Sequence, residues 1–165
     1  MKIEMVGVPN FYKVDHRLYR SAQPTKEGMR NLRKLGIKTV INLRWMHSDS
    51  DELEGTDLLH DEYHTTAWSI GDSDVIWFLD LVTTPEGAPF LVHCQHGADR
   101  TGCMVAMYRM VMQGWSRDEA IQELKGGGFG FHDVWSNIPR YLSHVDIVKI
   151  RDKIRKMLGA RYENT

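Results

Sequence analysis

A thiol and a guanidinium six positions apart, Cys94 and Arg100, carry the strongest chemical signal in this chain. They lie in the run Phe90-Leu91-Val92-His93-Cys94-Gln95-His96-Gly97-Ala98-Asp99-Arg100-Thr101-Gly102. A short apolar run precedes Cys94 and a long apolar-periodic segment follows Arg100, which reads as a buried strand, a tight loop and a helix N-terminus. The backbone N–H groups of such a loop, from Gln95 to Arg100, converge on a point where the helix dipole adds partial positive charge. A phosphate dianion fits that nest, with Arg100 closing over it through paired hydrogen bonds. The same positive site favours the thiolate of Cys94. A thiolate beneath a bound phosphate is a nucleophile aimed at phosphorus. The competing reading, a buried cysteine on a strand-to-helix turn, does not account for His93 before it, Gly97 within the loop and the helix after it.

The rest of the chain supplies elements that position this loop. One or two short strands are expected within 11–20, of which 17–20 is the better defined. A helix capped by Thr25 and stopped at Gly36 follows, carrying Met29, Leu32 and Leu35 at helical spacing. The β-branched run 37–44 reads as a central strand. The acidic stretch 48–54 reads as a solvated loop, and 63–68 as another short strand. Gly71-Asp72-Ser73 forms a turn and cap before a helix over about 74–82. After the loop, 101–113 is apolar nearly all round and reads as a buried helix. Ser116-Arg117-Asp118-Glu119 is a capping box for a helix to about Leu124, and Gly126–Gly130 is a flexible turn. A last amphipathic helix runs from about Ile138 to Leu158, with a frayed tail beyond Gly159. Strands alternating with helices predict an α/β fold, three layers deep, with a mostly parallel sheet of about four to five strands. One domain spans 1–165, its core within about 11–158. Ligands of such sheets bind beyond the carboxyl ends of the strands, where Cys94 lies.

At 165 residues the chain can bury a core without disulfides or metals. A formal net charge of −1 offers no general attraction to nucleic acid or to a membrane surface, so any affinity for phosphate is local. Two cysteines make no disulfide framework, and no Cys/His spacing reads as a zinc site. The first ten residues show neither a long apolar run nor a cleavage-like site, so a cytoplasmic location is expected; a trimmed leader would look the same.

The motif His93-Cys94-x5-Arg100-Thr101-Gly102 resembles the signature of the cysteine-dependent protein-tyrosine and dual-specificity phosphatases. Leu18-Tyr19-Arg20-Ser21-Ala22-Gln23-Pro24, followed by Leu35 to Arg44, is similar to the N-terminal half of small bacterial and plant- or fungal-type atypical dual-specificity phosphatases. The resemblance covers most of 11–145. It implies a tyrosine-phosphatase-like fold, no cofactor or metal, and a phosphorylated protein or small phosphomonoester as substrate. It implies that Cys94 becomes a cysteinyl-phosphate and that Arg100, with the N–H groups of Gln95, His96, Gly97, Ala98 and Asp99, binds the phosphate oxygens. Thr101 would donate to the Cys94 sulfur, and His93 would pack behind the loop.

A general acid must protonate the leaving group and later activate water. In the resembled superfamily it is an Asp ahead of a helix, about thirty residues before the cysteine. Asp61 and Glu62 lead into the expected strand and point away. Asp72 leaves it at the carboxyl end, level with Cys94, and is the first choice; Asp74 is an alternative. The sequence Gly97-Ala98-Asp99-Arg100-Thr101-Gly102 resembles instead the loops of myotubularin-type lipid phosphatases and some bacterial phosphatases of broad specificity, which makes Asp99 another alternative acid; otherwise Asp99 shapes the loop by hydrogen bonding. Cys103 is read as core, and Trp68, Trp77, Trp115, Phe129 and Trp135 as core or pocket wall. Arg44 is read as pairing with the acidic stretch, with the site mouth as the alternative, and His132 as a surface or packing residue. The leading function is hydrolysis of phosphotyrosine, with phosphoserine or phosphothreonine alongside. An inositol phosphate or phosphoinositide phosphatase and, from another class, a non-catalytic phosphate-binding module compete with it. The oligomeric state is not legible.

Overall fold

The computed structural model describes residues 1–163. The chain opens with β1 (Tyr12–Lys13), β2 (Leu18–Ser21) and helix α1 (Lys26–Leu35). It continues through β3 (Thr39–Arg44), α2 (Ser50–Leu53), β4 (Leu59–Thr65), α3 (Asp72–Val82) and β5 (Phe90–His93). Four helices complete it: α4 (Arg100–Met112), α5 (Arg117–Gly126), α6 (Asn137–His144) and α7 (Ile147–Glu163). The strands form one sheet in the order β1-β2-β5-β3-β4, with only the β1–β2 pair antiparallel. This is the mostly parallel α/β sheet that the alternation of elements predicts.

Side-chain alternation along the strands sorts the core into two layers. Leu18, Ile41, Leu43, Phe90 and Val92 face the cluster built by α3 to α7. Tyr19, Val40 and Leu91 face the other side, where Met29 and Leu32 of α1 and Leu53 of α2 pack. Helix α4 is buried nearly all round, as its apolar circumference requires. Thr25 caps α1 by accepting from the Gly28 N–H at 3.1 Å, and Gly36 ends it at φ 107°. Ser116 and Glu119 form the expected capping box at α5.

Four elements differ from expectation. Strand β4 lies several residues earlier than 63–68, because as an edge strand of sequence Leu-His-Asp-Glu-Tyr-His-Thr it has no buried alternation to read. Residues 66–71 are therefore loop at the carboxyl end of β4. The acidic stretch is no solvated loop: Leu53 of α2 packs into the core, and Asp49 is fully buried. The last long helix is two, broken at Val145, where the backbone turns extended (ψ 137°). Arg117 takes up the carbonyls freed there, donating to Leu142 O at 2.7 Å and Val145 O at 2.5 Å. The segment past Gly159 stays helical to Glu163; the last two residues of the expected frayed tail lie outside the described ones. Among the described residues, no helix is long and apolar enough to cross a membrane.

Since β2, β5, β3 and β4 run parallel, the segments following Ser21, His93, Arg44 and Thr65 meet at one edge of the sheet. The loop between Cys94 and Arg100 sits among them. Phe78 anchors α3 in the larger core cluster with no exposed surface. Its replacement by Ala is expected to cost about 3–5 kcal/mol in urea denaturation, the range for deleting a buried aromatic ring.

Candidate active site

Residues 94–99 join β5 to α4 in a tight turn. Gly97 adopts φ +70°, and a Cβ there would lie 2.5 Å from the backbone of Ser21 and Ala22. The closeness is used, because three successive carbonyls of the loop are bonded from outside. Gln95 O accepts from the Gln23 N–H at 3.2 Å, His96 O from Asn10 Nδ2 at 3.0 Å and Gly97 O from Arg20 Nη2 at 2.8 Å. With those carbonyls turned outward, the N–H groups of Gln95 to Asp99 have no partner among the described residues. They form an anion-binding concavity at the start of α4. Cys94 is buried at its base, and Arg100, half-buried, donates from Nη1 to Thr65 O at 3.3 Å. The structure thus brings together Cys94, the loop N–H groups and Arg100.

Beneath the loop lies His93, fully buried, with Nδ1 3.2 Å from Cys94 O and Nε2 2.5 Å from Asp49 Oδ2. A carbonyl and a carboxylate only accept, so both ring nitrogens donate and His93 is an imidazolium paired with Asp49. Burial alone raises the Asp49 carboxyl. The hydrogen bond and charge of His93, the Gln23 amide and the charge of His47 outweigh it and hold the carboxyl below its usual range. Gln23 also accepts from Arg44 Nη1 at 3.0 Å, so Arg44 reaches the network under the loop rather than a surface ion pair.

Arg20 is the other buried cation. Its guanidinium stacks 3.7 Å from the centroid of the Phe129 ring and lies under Gly102, where a Cβ would come 3.6 Å from Nη2. Burial lowers its pKa to about 10, with Glu123 and Cys94 pulling the other way, so it stays charged and its field reaches the thiol.

On the open side, Asp99 is 5% exposed and accepts from the His132 N–H at 2.9 Å and lies 2.7 Å from His132 Nδ1. The His132 ring stands edge-on to His96, ring centroids 5.1 Å apart. Asp99 therefore holds the 128–132 segment against the loop, and His132 is more than a surface histidine. Trp68 packs against both Trp45 and Trp135, at 6.0 and 6.4 Å between ring centroids. Trp45 and Trp68 are well exposed, forming an aromatic rim on the segments that follow β3 and β4.

The two carboxylates in the first turn of α3 have partners of their own. Asp72 accepts from the Tyr141 hydroxyl at 2.7 Å and lines a groove with Asp146, Val148 and Lys149 at α7. It is the first helical residue of α3, and the phenol of α6 takes its side chain. Asp74 accepts from the Gly71 N–H at 2.8 Å, satisfying the backbone donor at the start of α3. Asp61 and Glu62 lie inside β4, where Glu62 accepts from Ser48 Oγ and the Asp49 N–H. Thr101 Oγ1 is buried without a hydrogen-bond partner, so its expected bond to the Cys94 sulfur is not made here. Burial in the core pushes the Cys103 thiol up, which keeps it protonated and inert. His47, Asp49 and Glu52 place their ligand atoms within 4.8 Å of one another and could share a cation. Nothing in the loop chemistry calls for one.

A family model described as "DSP-PTPase phosphatase fused to NAD+ Kinase" matches residues 8–134. The chain belongs to this DSP-PTPase family. It is 34% identical over 143 residues to the dual specificity protein phosphatase TpbA of Pseudomonas aeruginosa, covering 86% of this chain and 65% of TpbA. The chain thus spans less than two thirds of that relative's length. The crystal structure of TpbA superposes with a TM-score of 0.82 at 32% identity, covering 89% of this chain and 91% of that one. TpbA has also been solved, as a variant, in complex with phosphotyrosine. A putative tyrosine-protein phosphatase, OCA1 of Mycosarcoma maydis, is 32% identical over 73% of this chain and 81% of its own length. The inositol diphosphatase DSP5 of Arabidopsis thaliana is 28% identical over 72% of this chain and 62% of its own.

Asp49, Arg20 and Asn10 escape sequence reasoning in this DSP-PTPase chain. An acidic residue in an acidic run, an arginine in a strand and an asparagine near the N-terminus carry no local signal. The one clue is Arg20 itself, a charge on the face of β2 that Leu18 shares with the core. Replacing Asp49 with Asn leaves the His93 cation buried without its anion, at an expected cost of about 3–5 kcal/mol in urea denaturation at pH 7. Because the Asp49 carboxyl is depressed, its contribution is full above the ordinary value of about 3.9 and is lost as pH falls through the lower folded-state value. Acid unfolding of the Asp49→Asn variant should lack that component.

Proposed function

We propose that this chain is a phosphomonoester phosphatase that works through a cysteinyl-phosphate. The observation that carries the reading is the set of unpartnered loop N–H groups around Cys94, with Arg100 at their end. Phosphate oxygens accept from those N–H groups and from the Arg100 fork, and the phosphorus lies in front of the Cys94 sulfur. The His93 and Arg20 cations and the α4 dipole favour the thiolate. The sulfur attacks phosphorus and the leaving oxygen departs; water then attacks the phosphoenzyme and releases phosphate and the thiolate. Thr101, whose buried hydroxyl is free, turns to the departing sulfur in that second step. None of this requires a metal, and a reducing, cytoplasmic setting suits the reactivity of the thiolate.

Phosphotyrosine is the leading substrate. The aromatic rim of Trp45, Trp68 and Trp135 suits a phenyl ring, and TpbA is named a dual specificity phosphatase. A second reading, hydrolysis of inositol diphosphates, draws on the relative DSP5 and on the exposed His96 at the loop, a conditional cation for a neighbouring phosphate.

Cys94→Ser is expected to abolish hydrolysis of p-nitrophenyl phosphate while leaving inorganic phosphate binding detectable by calorimetry. Acid quenching of the wild-type protein should trap phosphate on Cys94. Full turnover by the Cys94→Ser variant overturns the mechanism, and phosphate binding without turnover in the wild type makes the chain a binding module. Hydrolysis rates for phosphotyrosine, phosphoserine and inositol diphosphates at equal concentration decide the substrate class.

A further inference from the structure

The reaction needs a proton for the leaving oxygen, and the carboxylates in the first turn of α3 are tied to Tyr141 and to the Gly71 N–H. On the other side of the loop, both oxygens of the buried Asp99 are spent on a single residue, His132. A carboxylate facing Nδ1 puts the hydrogen on Nδ1 and leaves Nε2 as the reactive nitrogen. Among the described residues Nε2 makes no hydrogen bond, and the side chain is 48% exposed. The ring is also held in place. Asn10 bridges His96 O and Phe129 O at 3.0 and 2.9 Å, Arg20 stacks on Phe129, and the ring itself meets His96 of the loop. A titratable nitrogen is thus fastened beside the phosphate-binding loop by a carboxylate that directly precedes Arg100.

We propose that His132 is the proton-transfer group of this site, with Asp99 as its positioning residue; the inference rests on the phosphatase reading above. In the first step the sulfur–phosphorus bond forms, the phosphorus–oxygen bond to the leaving group breaks, and the Nε2 proton passes to the leaving oxygen. In the second, neutral Nε2 takes a proton from water as its oxygen attacks phosphorus, and the phosphorus–sulfur bond breaks to release inorganic phosphate and the thiolate. Asp99 stabilises the imidazolium whenever Nε2 carries its proton. The charged and titratable groups in contact with His132 are Asp99 and His96, both from the loop.

The experiment compares His132→Gln, Asp99→Asn and Asp72→Asn with the parent on two substrates, an alkyl phosphate and p-nitrophenyl phosphate, across pH. His132→Gln is expected to lower turnover of the alkyl phosphate about a hundredfold or more. It should leave the initial burst of p-nitrophenol release far less changed, since that leaving group departs without a proton, and slow the phosphate release that follows, which still needs the base. Retained activity on the activated substrate shows that the variant is folded. In the parent, alkyl phosphate turnover falls as pH rises through the histidine range, and this limb is absent from the His132→Gln variant. Asp99→Asn should show the same leaving-group-selective loss more weakly, because the His132 ring is no longer held in place. The proposal is overturned if His132→Gln keeps the parent's leaving-group dependence and pH limb, or if Asp72→Asn reproduces the selective loss. Cys94→Ser serves as the separate control: its activity bears on the phosphatase reading and not on His132.

Discussion

Everything in this site depends on three carbonyl groups pointing the wrong way for a helix. Gln95, His96 and Gly97 turn their oxygens outward, to the Gln23 N–H, Asn10 and Arg20, and the trans peptide planes then aim the N–H groups of the following residues, His96, Gly97 and Ala98, inward. A peptide plane cannot present its oxygen to the protein and its hydrogen to the same side, so holding the carbonyls orients the donors. Oriented donors need no reorganisation when negative charge arrives, which is where electrostatic catalysis gains most. Gly97 permits the turn, and the backbone of Ser21 and Ala22 leaves no room for a larger residue.

The two faces of the sheet meet at this loop and each supplies a cation. From the α1/α2 side comes His93, held by Asp49; from the α4/α5 side comes Arg20, held against Phe129 and the Gly97 carbonyl. Burying either charge is costly by itself. Asp49 and the carbonyl offset that cost, and both basic side chains are fixed directly against the Cys94 loop. The short helix α2, an element with little stability of its own, is kept because Leu53 packs below it and Asp49 is drawn inward.

The open side of the loop is built from late parts of the chain. Asp99 spends its charge on His132, and the Trp45–Trp68–Trp135 rim gathers segments from three places in the sequence. Loop, rim and histidine thus come from separate parts of the chain: the loop offers its N–H donors, Trp45, Trp68 and Trp135 pack on one another, and His132 rests against Asp99 and His96.

By itself the sequence determined the parts whose physics is local. The Cys94–Arg100 loop, the α4 helix, the capped α1 and α5 and the alternating β3 all follow from contiguous residues, because turn geometry, capping and periodicity are set within a few positions. Strand β4 escapes such a reading because an edge strand need not alternate, and α6 and α7 read as one helix because their break is satisfied by Arg117 from elsewhere. Only the tertiary structure decided the partners. It paired His93 with Asp49, put Arg20 under Gly97, gave Asp72 to Tyr141 and gave Asp99 to His132. These are contacts between residues from 33 to 77 positions apart. A charge in a sequence shows that a counter-charge is needed if it is buried; which residue supplies it depends on the packing of the two layers against the sheet.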